Sequence, residues 1–188
     1  MAASSMLLDF LQQRNSAPRL DSPAPDAVAL QQMIRAATRV PDHAWLRPWR
    51  FISVEGDRRK DLGKVFEAAL LKREPEAAEN VRERARNAPL RAPLILVVVT
   101  RISEHPKVPS VEQRKSAACA AYAILLAAEA QGFAGVWRTG DNAYDPDVMA
   151  ALGLNEDEEI AAFIYLGTRD GRSKAIPELS PEDFHSRW

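Results

Sequence analysis

The sequence is poor in glycine and almost without cysteine. Its 8 glycines in 188 residues form neither a G-x-G-x-x-G turn nor a Walker A loop, so no Rossmann or P-loop nucleotide site is supported. A G-x-S-x-G nucleophile turn is also missing. A lone cysteine, Cys119, excludes an intramolecular disulfide and a cysteine metal cluster, and suits a reducing cytoplasm. Cys119 sits mid-helix among alanines and is expected to be a small core hydrophobe. The histidines, His43, His105 and His185, lie far apart without H-x-x-x-H spacing, so no metal site is expected. Long apolar runs are lacking too. The longest, Ala117 to Ala128, falls short of the roughly 18 residues of a membrane span. The opening "MAASSMLLDFLQQR" has neither the basic nor the apolar region of a secretory signal. No charge of one sign dominates: 25 Lys+Arg stand against 26 Asp+Glu. That leaves no field to favour nucleic acid or an anionic membrane. The expectation is a cytoplasmic protein of one domain, residues 1–188, touching neither membrane nor nucleic acid.

What is present is an ordered alternation of helices and strands. Met6, Leu7, Phe10 and Leu11 predict a first helix ending near Arg14. Pro18, Pro23 and Pro25 make the next stretch a loop. Leu30, Met33, Ile34 and Ala37 give a second helix, capped near Asp26 and stopped before Pro41. "RFISVEG" reads as a strand. Asp57 opens a third helix, and Glu76 to Arg86 form a polar one whose "VRERARNAPLR" is a solvated face. "LILVVVT", Leu94 to Thr100, is a continuous run rich in β-branched residues and reads as a strand buried on both faces. Ser110 and Gln113 carry a capping-box signature. The long helix that follows ends at Gly132. "AGVWR" is a short strand, Asp145-Pro146 starts a helix that Gly153 ends, and "IAAFIYLGT" is the last strand. The tail from Arg169 is polar. Such a mixture predicts a three-layer α+β or α/β domain. The stretch "SAACAAYAILLAAEA" is small and apolar all round, which predicts burial on every side and a subunit interface as the second covering surface.

Without a nucleophile, metal or nucleotide motif, any enzymatic chemistry falls to a bound cofactor. Three segments are candidates for holding one. "QQRNSAPRL" places Arg14, Asn15 and Ser16 at a helix end, where guanidinium and hydroxyl suit a phosphate; helix-end charge and a plain turn explain them as well. "RVPDHAWLRPWRF" crowds tryptophans, a histidine and arginines into a proline-broken connector. Trp45 and Trp49 packing as lids while Arg47 and Arg50 snorkel is the other explanation. "GFAGVWRTG" brings Trp137, Arg138 and Thr139 to a strand end beside glycines that admit close approach, or is a simple edge strand.

In order, "LLDFLQQRNS", "RAATRVPDHAWLRPWRF", "RNAPLRAPLILVVV", "HPKVPSVEQRKSAACAA", "AAEAQGFAGVWRTG" and "AAFIYLGT" span nearly the whole chain. Together they resemble the FMN-dependent nitroreductase family, and within it a compact subgroup of NAD(P)H nitroreductases. The resemblance implies an α+β fold, with a central, mostly antiparallel sheet between helices. It also implies a homodimer built on long helices, with FMN at the subunit interface. Carried over by position, Arg14, Asn15 and Ser16 contact the FMN phosphate and ribityl chain. Arg39 and His43 contribute to the flavin pocket, and Trp137, Arg138 and Thr139 line it from the other strand. Ala127, Ala128, Glu129, Ala130, Gln131 and Gly132 fall where the subgroup binds NAD(P)H. The implied activity is a ping-pong hydride transfer from NADPH or NADH through FMN to a nitroaromatic, quinone or other electron-poor acceptor, with His43 a candidate proton donor. Two alternatives stay open: a non-catalytic FMN-storage protein, and different flavin chemistry on the same fold. The chain departs from the larger enzymes of the family at two places. Their P-S-x-x-N-x-Q-P-W segment reads here Pro41 to Trp49 with Asp42, His43 and Trp45, and the second arginine of their "RRS" is Asn15.

Overall fold

The computed structural model describes residues 3–188, with side chains from Met6 onward. The expected single unit over 1–188 thus includes Met1 and Ala2, which lie outside the described residues. In chain order the elements are α1 (Ala3–Gln12), β1 (Leu20–Asp21), α2 (Ala27–Ala37), β2 (Trp49–Glu55), α3 (Arg58–Arg73), α4 (Glu79–Asn87), β3 (Leu94–Arg101), α5 (Ser110–Ala130), β4 (Ala134–Arg138), α6 (Pro146–Ala151) and β5 (Glu158–Arg169). The sheet order is β1-β5-β3-β2, with β4 also paired to β5. Every neighbouring pair is antiparallel. The class is therefore α+β, the antiparallel branch of the two that the pattern allowed.

The β-branched run of β3 explains the three layers. Alternate residues of a strand point to opposite faces. Leu94, Leu96 and Val98 enter one core with α2 and α5. Ile95, Val97 and Val99 enter a second core with α3 and α6. All six are buried. On β5 the register skips Ala161 between Val98 and Val99. The extra residue reverses the phase, so Ile160 shares the second core with Phe163 and Tyr165.

Local signals held where they concerned backbone chemistry. The Asp26 carboxylate accepts from the Ala29 amide at 2.8 Å, and Asp145 accepts from the Asp147 and Val148 amides. Gly132 follows α5 at φ 80°. Two expectations, on Gln113 and Cys119, are corrected. Gln113 does not close a capping box with Ser110: its buried amide turns inward, accepting from the Ser103 amide at 2.9 Å and donating to the Ser103 carbonyl at 2.8 Å. It pins the loop before α5 instead. Asp57 does open α3 as its N-cap residue, without a side-chain cap bond; its carboxylate accepts from Lys60 at 2.9 Å. Within one chain α5 is covered on one side. Its inner stripe, including Ala117, Ala121, Ile124 and Ala128, is buried, whereas Lys115, Cys119 and Tyr122 are exposed. Cys119 is thus no core residue. Alanine content permits close packing, and among the described residues α5 packs chiefly on α2 and the sheet.

Candidate functional site

The first candidate segment lies along the edge of the third. Ala17, wholly buried, donates its amide to the Gly135 carbonyl of β4 at 3.0 Å. A side chain at Gly135 would crowd its neighbours, since a Cβ would stand 2.7 Å from Leu125 Cδ2 and 3.0 Å from the Tyr165 carbonyl oxygen. Residues 14–17 and β4 are thus held together by backbone. Arg14, Asn15 and Ser16 are half-buried. Arg14 Nη1 reaches Ser16 Oγ at 3.5 Å, a long contact that leaves both groups able to donate elsewhere. Asn15 is tied to the start of the tail. Its amide donates to the Lys174 carbonyl at 2.6 Å, and its carbonyl accepts from Arg169 at 3.2 Å.

From Gly135 the strand runs about 10 Å to Arg138. Trp137, Arg138 and Thr139 border a hollow of about 360 Å³ with Phe66, Phe163 and Tyr165. The Arg138 guanidinium lies 5.4 Å over the Tyr165 ring, a cation–π arrangement. Burial pushes the Tyr165 hydroxyl up to about 12, so it stays neutral near pH 7. A neighbouring hollow is lined by Arg19, Arg91 and Arg138 together with Asp21 and Asp170. Arg19 and Arg138 therefore converge, although they are far apart in sequence. Arg91 was not singled out by any motif.

The NAD(P)H segment lies beside Asn15. Glu129 and Asn15 border one hollow with Phe10 and Lys174. Ala128 is wholly buried, and the Gln131 amide donates to the Ala127 and Ala29 carbonyls. The accessible part of that segment is Glu129, Ala130, Gln131 and Gly132, with Ala127 half-covered.

The second segment sits elsewhere. His43 Nδ1 contacts Glu112 at 2.8 Å, and the Pro41 carbonyl accepts from Ser116 Oγ at 2.6 Å, both near the start of α5. Arg39 borders a hollow of about 370 Å³ with Trp45, Arg47 and Trp49. Trp45 is 78% exposed, so it is no core lid, while Trp49 is buried. Arg50 does not snorkel; it forks onto Glu158 at 2.6 and 2.7 Å. Ala44, Trp45 and Arg47 all have left-handed backbones, φ 60°, 55° and 49°. Each costs about 1–2 kcal/mol for a side-chain-bearing residue. The Asp42 carboxylate, accepting from the Arg47 amide at 2.8 Å, helps hold this shape. From Glu112 to Glu129 the helix rises about 25 Å. Arg39 and His43 are therefore remote from Arg14 and Ser16 within one chain.

A family model described as "Nitroreductase family" matches residues 11–168. The protein named "Putative NAD(P)H nitroreductase YdjA" of Escherichia coli K12 is 41% identical over 177 residues, covering 93% of this chain and 96% of its own. A "Putative NAD(P)H nitroreductase" of Haemophilus influenzae is 37% identical over 181 residues, covering 94% and 96%. Among solved structures, a nitroreductase-like family protein from Bacillus cereus superposes with TM-score 0.82 at 19% identity, over 100% of this chain and 98% of its own. A nitroreductase from Bacteroides fragilis with bound FMN superposes with TM-score 0.72 at 22% identity, over 93% and 94%. These last two speak to the fold.

Proposed function

The chain belongs to the nitroreductase family, and from that premise we propose that it is an FMN-dependent oxidoreductase that uses NAD(P)H to reduce small electron-poor molecules. Bound FMN supplies the redox chemistry, carrying a hydride from the nicotinamide to an acceptor such as a nitroaromatic or a quinone. The observation that carries the reading is the juxtaposition of Arg14–Ser16 with β4 through the Ala17–Gly135 hydrogen bond.

The residues present fit the cofactor. Arg14 and Ser16 are donors suited to a phosphate. Arg138 supplies a cation whose buried Nε has no partner of its own. Trp137, Arg138 and Thr139, which border the hollow at the end of β4, would meet the ring of FMN. Arg91 and Arg138, which border the hollow, favour negative charge on a bound ring. Asn15, bound to the tail, holds the phosphate loop in place. Glu129 to Gly132 border the same end of α5 and are the surface assigned to NAD(P)H.

Arg39 and His43 complete the pocket from a second copy of the chain. Their remoteness along α5 and the uncovered stripe of Lys115, Cys119 and Tyr122, which a partner helix would cover, support this. Glu112 only accepts, so His43 Nδ1 carries the hydrogen between them, and Nε2 remains to give or take a proton at the acceptor. The lone exposed cysteine suits a reducing cytoplasm. No described helix is long and apolar enough to cross a membrane.

The test is FMN affinity. Wild-type protein quenches flavin fluorescence on binding, and Arg14→Ala lowers the affinity about tenfold or more, as loss of a charged hydrogen bond to phosphate requires. Unchanged affinity in a folded Arg14→Ala protein refutes the phosphate assignment.

A further inference from the structure

Two buried side-chain atoms among the described residues have no hydrogen-bond partner: Arg138 Nε and Asn142 Oδ1. Both residues border the same hollow. The turn between them is short, with Gly140 at φ 68° and a 3-10 segment over Asp141–Ala143. The two atoms have opposite polarity. Arg138 Nε carries a hydrogen to give, and Asn142 Oδ1 only accepts. Buried polar groups in native proteins are almost always paired, so a donor and an acceptor left open on two residues that border one hollow are best met by one complementary group. That group must present an acceptor beside a donor. A carboxylate or phosphate offers acceptors alone and leaves Asn142 unmet. A cyclic imide, with a carbonyl next to an N–H, meets both.

The pyrimidine ring of a flavin ends in such an edge, C=O, N3–H, C=O. We infer that Asn142 reads the N3–H of the bound flavin through Oδ1, while Arg138 Nε–H serves an adjoining carbonyl oxygen. Asn142 is then a specificity-determining residue that no motif marks. The terminal torsion of asparagine is soft, so a small swing presents Oδ1 to the hollow. The lining suits a flat heteroaromatic ring: Phe66 and Phe163, edge to face with centroids 5.4 Å apart, border the hollow together with Tyr165. This inference rests on the FMN reading above and adds the orientation of the ring.

The experiment compares FMN with 3-methyl-FMN, in which the N3 hydrogen is replaced, titrated into the full chain freed of flavin and followed by fluorescence quenching. Wild-type protein binds 3-methyl-FMN about tenfold or more weakly than FMN, the effect of leaving a buried acceptor unmet. In Asn142→Ala the preference collapses toward equal binding, with FMN itself weakened. Asn142→Asp keeps an acceptor at the same reach and keeps the preference, which separates a lost contact from a disturbed fold. Equal binding of the two flavins by wild-type protein overturns the inference while leaving the FMN reading intact, as does a preference that survives in Asn142→Ala. Failure of wild-type protein to bind either flavin overturns both.

Discussion

Replacing Gly63 by alanine sets two effects against each other, and the structure decides between them. Gly63 is a buried position inside α3. In an isolated helix, alanine there gains about 1 kcal/mol. In the fold, a Cβ at Gly63 would stand 2.1 Å from the Arg86 carbonyl oxygen and 3.1 Å from its carbon. The obstacle is backbone, so no side-chain rotation relieves it. α3 and α4 would have to part by about 1 Å, straining the ion pairs from Arg82 and Arg86 to Glu67, 3.1 and 3.6 Å. Overpacking of this kind costs about 1–3 kcal/mol, and the backbone obstacle places it at the upper end. The net expectation is a loss of about 1–2 kcal/mol. For a chain of this size that lowers Tm by about 2–8 °C. Calorimetric melting and urea unfolding measure it, the midpoint falling with an unchanged slope. A Tm equal to or above wild type would refute the packing argument and leave helix propensity in control.

Further predictions concern charge and assembly. Glu158, 4% exposed, is held below the ordinary carboxylate range by its hydrogen bonds from Arg50. Arg50→Ala leaves it with Arg101 at 3.6 Å and costs about 3 kcal/mol near pH 7. Because the folded value is depressed, this stabilisation is complete above the unfolded value near 4.3 and disappears as pH falls through the folded one. The gap between wild type and variant in urea unfolding should narrow below about pH 4; a constant gap contradicts the assignment. Spectrophotometric titration should find one tyrosine, Tyr165, resisting ionisation until about pH 12, and Tyr165→Phe should abolish that last step. If the pocket needs two copies, neither Arg14→Ala nor Arg39→Ala homodimers bind FMN well, yet mixed dimers regain one good site of two. Recovery of no site on mixing would place both arginines in one pocket of one chain.

The architecture was legible because its signals are local. The unbroken apolar run of β3, rich in β-branched residues, announced a strand with two covered faces, and Asp26, Asp145 and Gly132 marked helix ends by backbone chemistry. Two readings failed because tertiary contacts outbid local ones. Gln113 has the spacing of a capping box, but the Ser103 backbone offers it both a donor and an acceptor. Cys119 has apolar neighbours in sequence yet faces outward, since alanine composition does not say which stripe of a helix meets the sheet. The candidate site was legible segment by segment, not as an assembly. Nothing in the spacing of Ala17 and Gly135 foretells their hydrogen bond, nor that His43 lies a helix length away from Ser16. Arg91 lies in "RNAPLRAPLILVVV" without a role of its own, and Asn142 lies in no motif; both emerge only when the chain folds around one hollow.

The central claim is tested most directly by an anaerobic absorbance spectrum of the protein with FMN, followed on addition of NADPH. The account predicts a protein-bound flavin spectrum that bleaches within seconds and returns when a nitroaromatic or quinone is added. A bound flavin that stays oxidised under NADPH would contradict the reductase and point to flavin storage.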